Sequence, residues 1–384
     1  MTLPVDDFSI AVPDAVLADL SRRLEQTLWT DSVDGADWER GTSLDYLKSL
    51  VGYWRDGFDW RAREAELNQW PNRMARIDGC ELHYIHLPGK GVRRTPILLL
   101  HGWPSSHIQM FDLARLLVQP DAEGHAFDVV IASLPGYGLS RISAEPGWGC
   151  QRMAAVMVRL MRDVLGYDRW VVRAGDIGAA VADRIAADHP HAVMGLHLTG
   201  MLEPDHAPPP PDATAAERAF LDASNVMWQT EMAYARMHMT RPQTLAFGLT
   251  DSPAGLAAWV LEKFRIWSDC DGDLDKRFSR DDLLTNLMLY WTTRSIHSAI
   301  RVYYELIREP PLAKPLATPT AMLVNRKDMF PAVPREWAER TYNIVQWRET
   351  DVGGHFLEWE EPQIVAEDLR VFARHPAVNK EEHS

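Results

Sequence analysis

The run WVVRAGD (170–176) passes through Ile177 into GAAVADRIAADHP (178–190), so Ala174-Gly175-Asp176-Ile177-Gly178 joins a strand pattern to a helix pattern. Small, any, reactive, any, small describes a sharp strand-to-helix turn that thrusts its middle side chain into a cleft, the small neighbours allowing close backbone approach. The middle residue here is an aspartate. A carboxylate is a poor attacker of ester and peptide carbonyls, but it can displace a leaving group from an sp3 carbon and become an ester. Epoxides and alkyl halides are the electrophiles that suit it. On these five residues alone, a helix-capping role for Asp176 fits equally well.

Three further features favour chemistry. His101-Gly102-Trp103-Pro104 follows the apolar run PILLL, where the N–H of Trp103, paired with that of Ile177, can hold an oxyanion. Gly353-Gly354-His355-Phe356 offers a histidine on a loop whose glycines let it reach across a cleft. Asp328 follows AMLVN, 27 residues before His355, and is placed to accept the imidazole N–H and fix its tautomer. A histidine in a loop and an acid in RKDMF would each mean little alone; in the order Asp176, Asp328, His355 they make a nucleophile, an acid and a base. Two tyrosines complete the set, Tyr234 in TEMAYARMHMTRPQT and Tyr303 in SAIRVYYELIRE. A phenol, with a pKa of about 10, can hydrogen-bond an epoxide oxygen and protonate it as the C–O bond breaks, a service that a halide leaving group does not need. Tyr304 competes with Tyr303 for the inward position. Trp103, Pro104, Ile177, Trp228 and Phe356 are the expected pocket wall. Met227, Met232, Met237 and Met239 around Trp228 suit a bulky apolar or aromatic substrate, though core packing explains them as well.

The elements that must position these residues follow from periodicity. Residues 8–28 carry one amphipathic helix and 43–55 a second; MARIDGCELHYIHLPG alternates about Asp78-Gly79, a hairpin signal. Short apolar runs at 95–102, 127–136, 169–176 and 192–200 alternate with helix-length segments near 107–118, 150–165 and 179–189, the pattern of a parallel sheet with crossovers. The alternation stops at 201. APPPPDATAAE (207–217) leads into about a hundred helix-patterned residues, with helix starts at Ser252-Pro253 and Ser279-x-x-Asp282. Strands near 319–325 and 343–349, a helix near 335–342 and a last helix over 362–374 close the pattern. The expected division is an N-terminal extension (1–75), the first half of a sheet domain (76–200), an inserted helical cap (201–316) and the second half (317–384).

Composition excludes several classes. The chain has 384 residues and a net charge of −14, and both nucleic acid and an anionic membrane surface demand a basic patch. No apolar run approaches the roughly 20 residues of a membrane helix, and the first residues lack the pattern of an export signal. Cys80, Cys150 and Cys270 stand in no disulfide or zinc spacing, which suits a reducing cytoplasm. No G-x-S-x-G occurs, which argues against a serine esterase. No metal or cofactor is called for. A homodimer is the default expectation for a soluble enzyme.

The chain resembles the microsomal-type epoxide hydrolases, the branch with an N-terminal epoxide hydrolase extension that includes the juvenile hormone epoxide hydrolases and bacterial relatives. FSIAVPD, RRLEQTLW, HGWPSS, GDIG, TRPQTLAFGLTDSPAGLAAWVLEKF, DDLLTNLMLYWTT, RVYYE and GGHFLEWEEP carry the likeness over nearly the whole chain. It implies an α/β-hydrolase fold: a mostly parallel eight-stranded sheet with helices on both faces, a cap and an N-terminal extension. It also implies Asp176 as nucleophile, Asp328 and His355 as its partners, Tyr234 and Tyr303 as the epoxide-oxygen acids, a small-molecule epoxide substrate and a vicinal diol product. The family elbow commonly carries tryptophan where this chain has Ile177, and many relatives carry glutamate where it has Asp328. Regiochemistry therefore cannot be inherited. A haloalkane or haloacid dehalogenase using the same aspartate, and a catalytically inactive binding protein, are the alternatives.

Overall fold

A computed structural model describes residues 3–200 and 208–379. Among them ten strands form one sheet: β1 (Val5–Asp7), β2 (Asn72–Ile77), β3 (Cys80–Leu87), β4 (Arg93–Leu100), β5 (His125–Ala132), β6 (Arg141–Ile142), β7 (Trp170–Ala174), β8 (Val193–Leu198), β9 (Leu316–Asn325) and β10 (Tyr342–Thr350). The order is β1-β2-β3-β5-β4-β7-β8-β9-β10, with β6 paired to β3. From β5 to β10 neighbours run parallel, while β1, β2, β3 and β6 pair antiparallel. The expected mostly parallel sheet is thus present with two short additions to the eight strands. Neither addition has a sequence signal, since β1 is exposed along its whole length and β6 is two residues long.

The central strands read as continuous apolar runs because both faces are buried. Leu98 and Leu100 of β4 join one core cluster, while Ile97 and Leu99 join the cluster on the opposite face. Fully burying each such side chain is worth about 1.5–3 kcal/mol. The hairpin expected at Asp78-Gly79 is the β2–β3 turn, both residues at positive φ (47° and 82°), as a two-residue turn of this kind requires. The amphipathic pattern of 8–28 forms helix over Asp14–Glu25, with Pro13 ahead of its first turn. A helix over Trp60–Leu67 has no matching expectation, because its apolar residues show almost no helical periodicity.

Helices from Ala215 to Leu306 interrupt the sheet between β8 and β9. The expected boundary at 201 lies outside the described residues. Ser252 caps the helix Pro253–Trp267 and Ser279 caps Arg280–Thr293, as the sequence signals require. This helical layer rests on the loop that follows β4: Asn286 Nδ2 donates to the Pro104 carbonyl at 2.9 Å, and Tyr290 Oη to the Ser105 carbonyl at 2.6 Å. The N-terminal segment straps the same helices from outside. Tyr53 Oη donates to Asp281 at 2.7 Å, Thr42 to the Ala258 carbonyl at 2.6 Å, and Arg23 pairs with Asp251 at 2.8 Å.

Candidate active site

The site forms where β4 and β7 end side by side. Gly175, in extended conformation, terminates β7, and the helix Asp176–Asp188 begins at once. Asp176 sits at φ +50°, a left-handed conformation that costs a non-glycine residue about 1–3 kcal/mol and persists only where the surroundings impose it. Two glycines impose the geometry. A Cβ on Gly178 would lie 2.6 Å from the His101 carbonyl oxygen, so the helix packs directly on the end of β4. A Cβ on Gly102 would lie 2.2 Å from Asp176 Oδ1, so the loop after β4 passes against the carboxylate itself. That close approach lets the Trp103 N–H donate to Asp176 Oδ1 at 2.8 Å. The Ile177 N–H belongs to the first helical turn, where amides have no partner within the helix. His101 holds the same loop: Nε2 accepts from the Leu134 N–H at 3.1 Å, leaving Nδ1 to donate to the Gly102 carbonyl at 3.1 Å.

His355 Nε2 lies 3.5 Å from Asp176 Oδ2, and its Nδ1 lies 3.2 Å from each Asp328 oxygen. Asp176, Asp328 and His355 are therefore brought together in the expected arrangement. Burial works against the imidazolium, but the charge of Asp328 and the hydrogen bonds to Asp176 and Asp328 outweigh it and raise the His355 pKa to about 10. The histidine loop is pinned to the helical layer. Its N–H donates to the Trp267 carbonyl at 2.7 Å, and a Cβ on Gly354 would meet Trp267 O, Ser268 Cα and Asp269 N at 2.5 Å. Glu360 gathers the turn: Oε2 accepts from the N–H groups of Gly354 and Asp269, both at 2.8 Å, and Oε1 from the Phe356 N–H at 3.1 Å.

Above Asp176 stands an aromatic roof. Tyr234 stacks on Trp103 (ring centroids 5.1 Å apart, 13° between planes), and Tyr303 meets Trp103 at 6.3 Å and Tyr234 at 6.2 Å, both edge-on. Burial first, and then neighbouring charge that includes Asp176, pushes both phenols well above 10, so both stay protonated. Each phenol influences the other's titration, yet Tyr303 Oη makes no hydrogen bond of ordinary geometry among the described residues. Tyr303 is the inward tyrosine of its pair. Tyr304 is half-buried with the Arg308 guanidinium 3.4 Å from its ring centroid.

The pocket expectations fare unevenly. Trp103 and Ile177 lie at Asp176, and Pro104, buried, turns its carbonyl to Asn286. Phe356 stacks on Phe264 at 4.2 Å and meets His355 edge-on at 5.2 Å. Trp228 is buried in the helix Ala215–Thr230 with the Arg236 guanidinium 5.9 Å from its ring. Met237 is 41% exposed. Trp267 and His238 are roof members that spacing did not single out: Trp267 packs on His355 at 5.0 Å and on Tyr234 at 5.2 Å, and His238 on Tyr303 at 4.9 Å.

Below Asp176 lies a polar floor that the sequence reading also missed. Arg173 of β7, wholly buried, donates through Nε to Glu358 Oε1 at 2.9 Å and faces His197 Nδ1 at 3.0 Å. Gln109 Nε2 donates to Glu358 Oε2 at 2.6 Å, and Ser105 Oγ donates to Gln109 Oε1. An arginine inside a strand that is otherwise apolar was the available signal, because a buried charge requires a partner.

A parallel sheet with a strained strand-to-helix nucleophile turn and an acid and histidine after later strands defines an α/β-hydrolase. Family models agree: that of the alpha/beta hydrolase fold matches residues 95–362, and that of the epoxide hydrolase N terminus matches residues 5–110. The chain belongs to the epoxide hydrolase family. It is 39% identical over 371 residues to a protein of Stigmatella aurantiaca provisionally named an epoxide hydrolase, covering 95% of this chain and 84% of that one. It is 31% identical to epoxide hydrolase 1 of Oryctolagus cuniculus over 95% of this chain and 88% of that one. The solved Aspergillus niger epoxide hydrolase superposes with a TM-score of 0.84 at 31% identity, over 97% of this chain and 96% of that one.

Proposed function

We propose that this enzyme converts a small-molecule epoxide to a vicinal diol through an ester on Asp176. Asp176 Oδ2 attacks one ring carbon while Tyr234 and Tyr303 hydrogen-bond the oxygen; the C–O bond breaks and a phenol proton goes to the alkoxide. In the resting enzyme His355 carries a proton, held by two carboxylates. Ester formation removes the charge of Asp176, so the imidazole releases that proton to the phenolate and becomes a base only when a base is required. It then takes a proton from water, whose oxygen bonds to Asp176 Cγ. The oxyanion on Oδ1 is met by the N–H groups of Trp103 and Ile177. Collapse breaks the ester C–O bond, the diol leaves with the proton of His355, and the acid proton of Asp176 returns to the imidazole.

The observation that carries this reading is the pair of neutral phenols over a carboxylate already hydrogen-bonded to the Trp103 N–H. Tyr234→Phe and Tyr303→Phe test it. Each is expected to lower kcat on styrene oxide about 100-fold, whereas full turnover of a haloalkane by both variants would establish a dehalogenase instead. The helices from 215 to 306 act in this reading as a lid, within the division 1–75, 76–200, 201–316 and 317–384. The substrate is bulky and apolar or aromatic, as the roof of Trp103, Trp267 and two tyrosines suits. No helix among the described residues is long and apolar enough to cross a membrane. A cytoplasmic homodimer fits its three buried, free cysteines and the symmetry common among soluble enzymes.

A further inference from the structure

Gly102, Ser105, Gln109, Asp176, His355 and Glu358 are among the residues lining a cavity of about 10 Å3 beneath the nucleophile. That is the room of one water, which needs two to four polar partners to be held. No residue of the helical layer lines it. The two molecules that react with Asp176 in turn, epoxide and then water, therefore have separate places: the epoxide lies under the phenols, and this cavity lies among the segments that follow β4, β7 and β10. The floor network also fixes the polar groups there. Glu358, 2% exposed, is held through one oxygen by Arg173 and through the other by the Gln109 amide, and the Gln109 carbonyl is held by Ser105.

We propose that this cavity seats the water that hydrolyses the ester, and that Glu358 and Gln109 are positioning residues for it. The inference rests on the ester mechanism above. One hydrogen of the water points to His355 Nε2 and is taken by it; the other is accepted by the carboxylate of Glu358 or the amide oxygen of Gln109, which turns a lone pair toward Asp176 Cγ. The hydroxide oxygen bonds to Cγ, the carbonyl pair moves to Oδ1, and collapse expels the diol on the side away from the cavity. The attacking water never has to pass the bound alkyl group.

Gln109→Met keeps the volume of the side chain and removes its polar atoms. In stopped-flow and rapid-quench experiments with styrene oxide, ester formation is expected to stay within about 2-fold of the wild type while ester hydrolysis slows about 10-fold or more, as misplacement of a reactant by an ångström or so can do. The ester should then accumulate as a mass shift on the Asp176 peptide. Ser105→Ala should shift the same ratio in the same direction, by about 3-fold. A parallel fall of both rates, or hydrolysis at the wild-type rate in a folded variant, would overturn the proposal. Should neither variant fold, a high-resolution crystal structure of the wild type decides: a water bridging His355 to Glu358 or Gln109 supports the assignment, and a cavity closed by side chains defeats it. Wild-type diol formation is the separate control, since failure of the ester mechanism would leave the wild type itself without diol or ester.

Discussion

The floor and the roof of the site are built on different physics. Under Asp176 the backbone runs so close that Gly102 has no room for a methyl group, and charged hydrogen bonds lock Arg173, Glu358 and Gln109 together. Over Asp176 the contacts are ring on ring, and several polar atoms of those rings, Trp103 Nε1, Trp267 Nε1, His238 Nδ1 and Tyr303 Oη, have no hydrogen-bond partner among the described residues. Directional bonds fix a few groups to within fractions of an ångström, while aromatic packing is tolerant of shape and leaves donors for a ligand. In the mechanism we propose, the difference assigns the reaction to the floor and its glycines, and the choice of epoxide to the roof. His355 is the hinge between them, bonded to Asp176 and Asp328 on one side and packed on Trp267 on the other.

The largest effect should come from the floor. Gly102→Ala drives a methyl group into the Asp176 carboxylate, and we expect kcat to fall about 100-fold or more, checked by steady-state diol formation and circular dichroism. A floor that tolerated this methyl with full activity would erase the contrast.

The hinge gives a pH signature. Its pKa of about 10 is raised above the unfolded value near 6.5, so folded-state protonation stabilises the protein fully below pH 6.5, and that contribution is lost as pH rises toward 10. The stability advantage of wild type over His355→Gln, taken from urea midpoints at pH 6, 8 and 10, should therefore shrink steadily across that window. A constant difference would mean that the imidazole is not held charged between the two carboxylates.

The smallest effect belongs to the helical layer away from the site. Ser279 Oγ accepts from the Asp282 N–H at 3.1 Å, and losing such a cap costs about 1 kcal/mol. Ser279→Ala should lower the thermal midpoint by about 2 °C with turnover unchanged; a drop in kcat would mean that the helices of this layer are coupled to the floor.

Much of this was legible in the chain. Central strands announced themselves as apolar runs, and Asp176, Asp328 and His355 stood out because a strand-to-helix turn and two post-strand loops are local patterns. Helical pattern did not separate Tyr303 from Tyr304, although adjacent residues on a helix differ by about 100° in direction; the resemblance singled out Tyr303, and the ring contacts place that residue in the roof. Gly102 was visible in HGWP, but not the carboxylate it makes room for, which belongs to the helix that follows another strand. Ser105 and Gln109 are neighbours in the chain, but positions 173 and 358 lie far from them and from each other; a hydrogen-bond network joining three separate points of the chain leaves no periodic trace. Helical patterning around Trp228 placed it in the right layer and could not say which residues that layer turns toward Asp176.

Oxygen tracing in a single turnover reaches the central claim most directly. With enzyme in excess over styrene oxide in 18O-labelled water, the account predicts that the first diol carries unlabelled oxygen drawn from Asp176, and that the label enters the carboxylate instead. Solvent label in the diol of that first turnover would show water attacking the epoxide carbon itself and would contradict it.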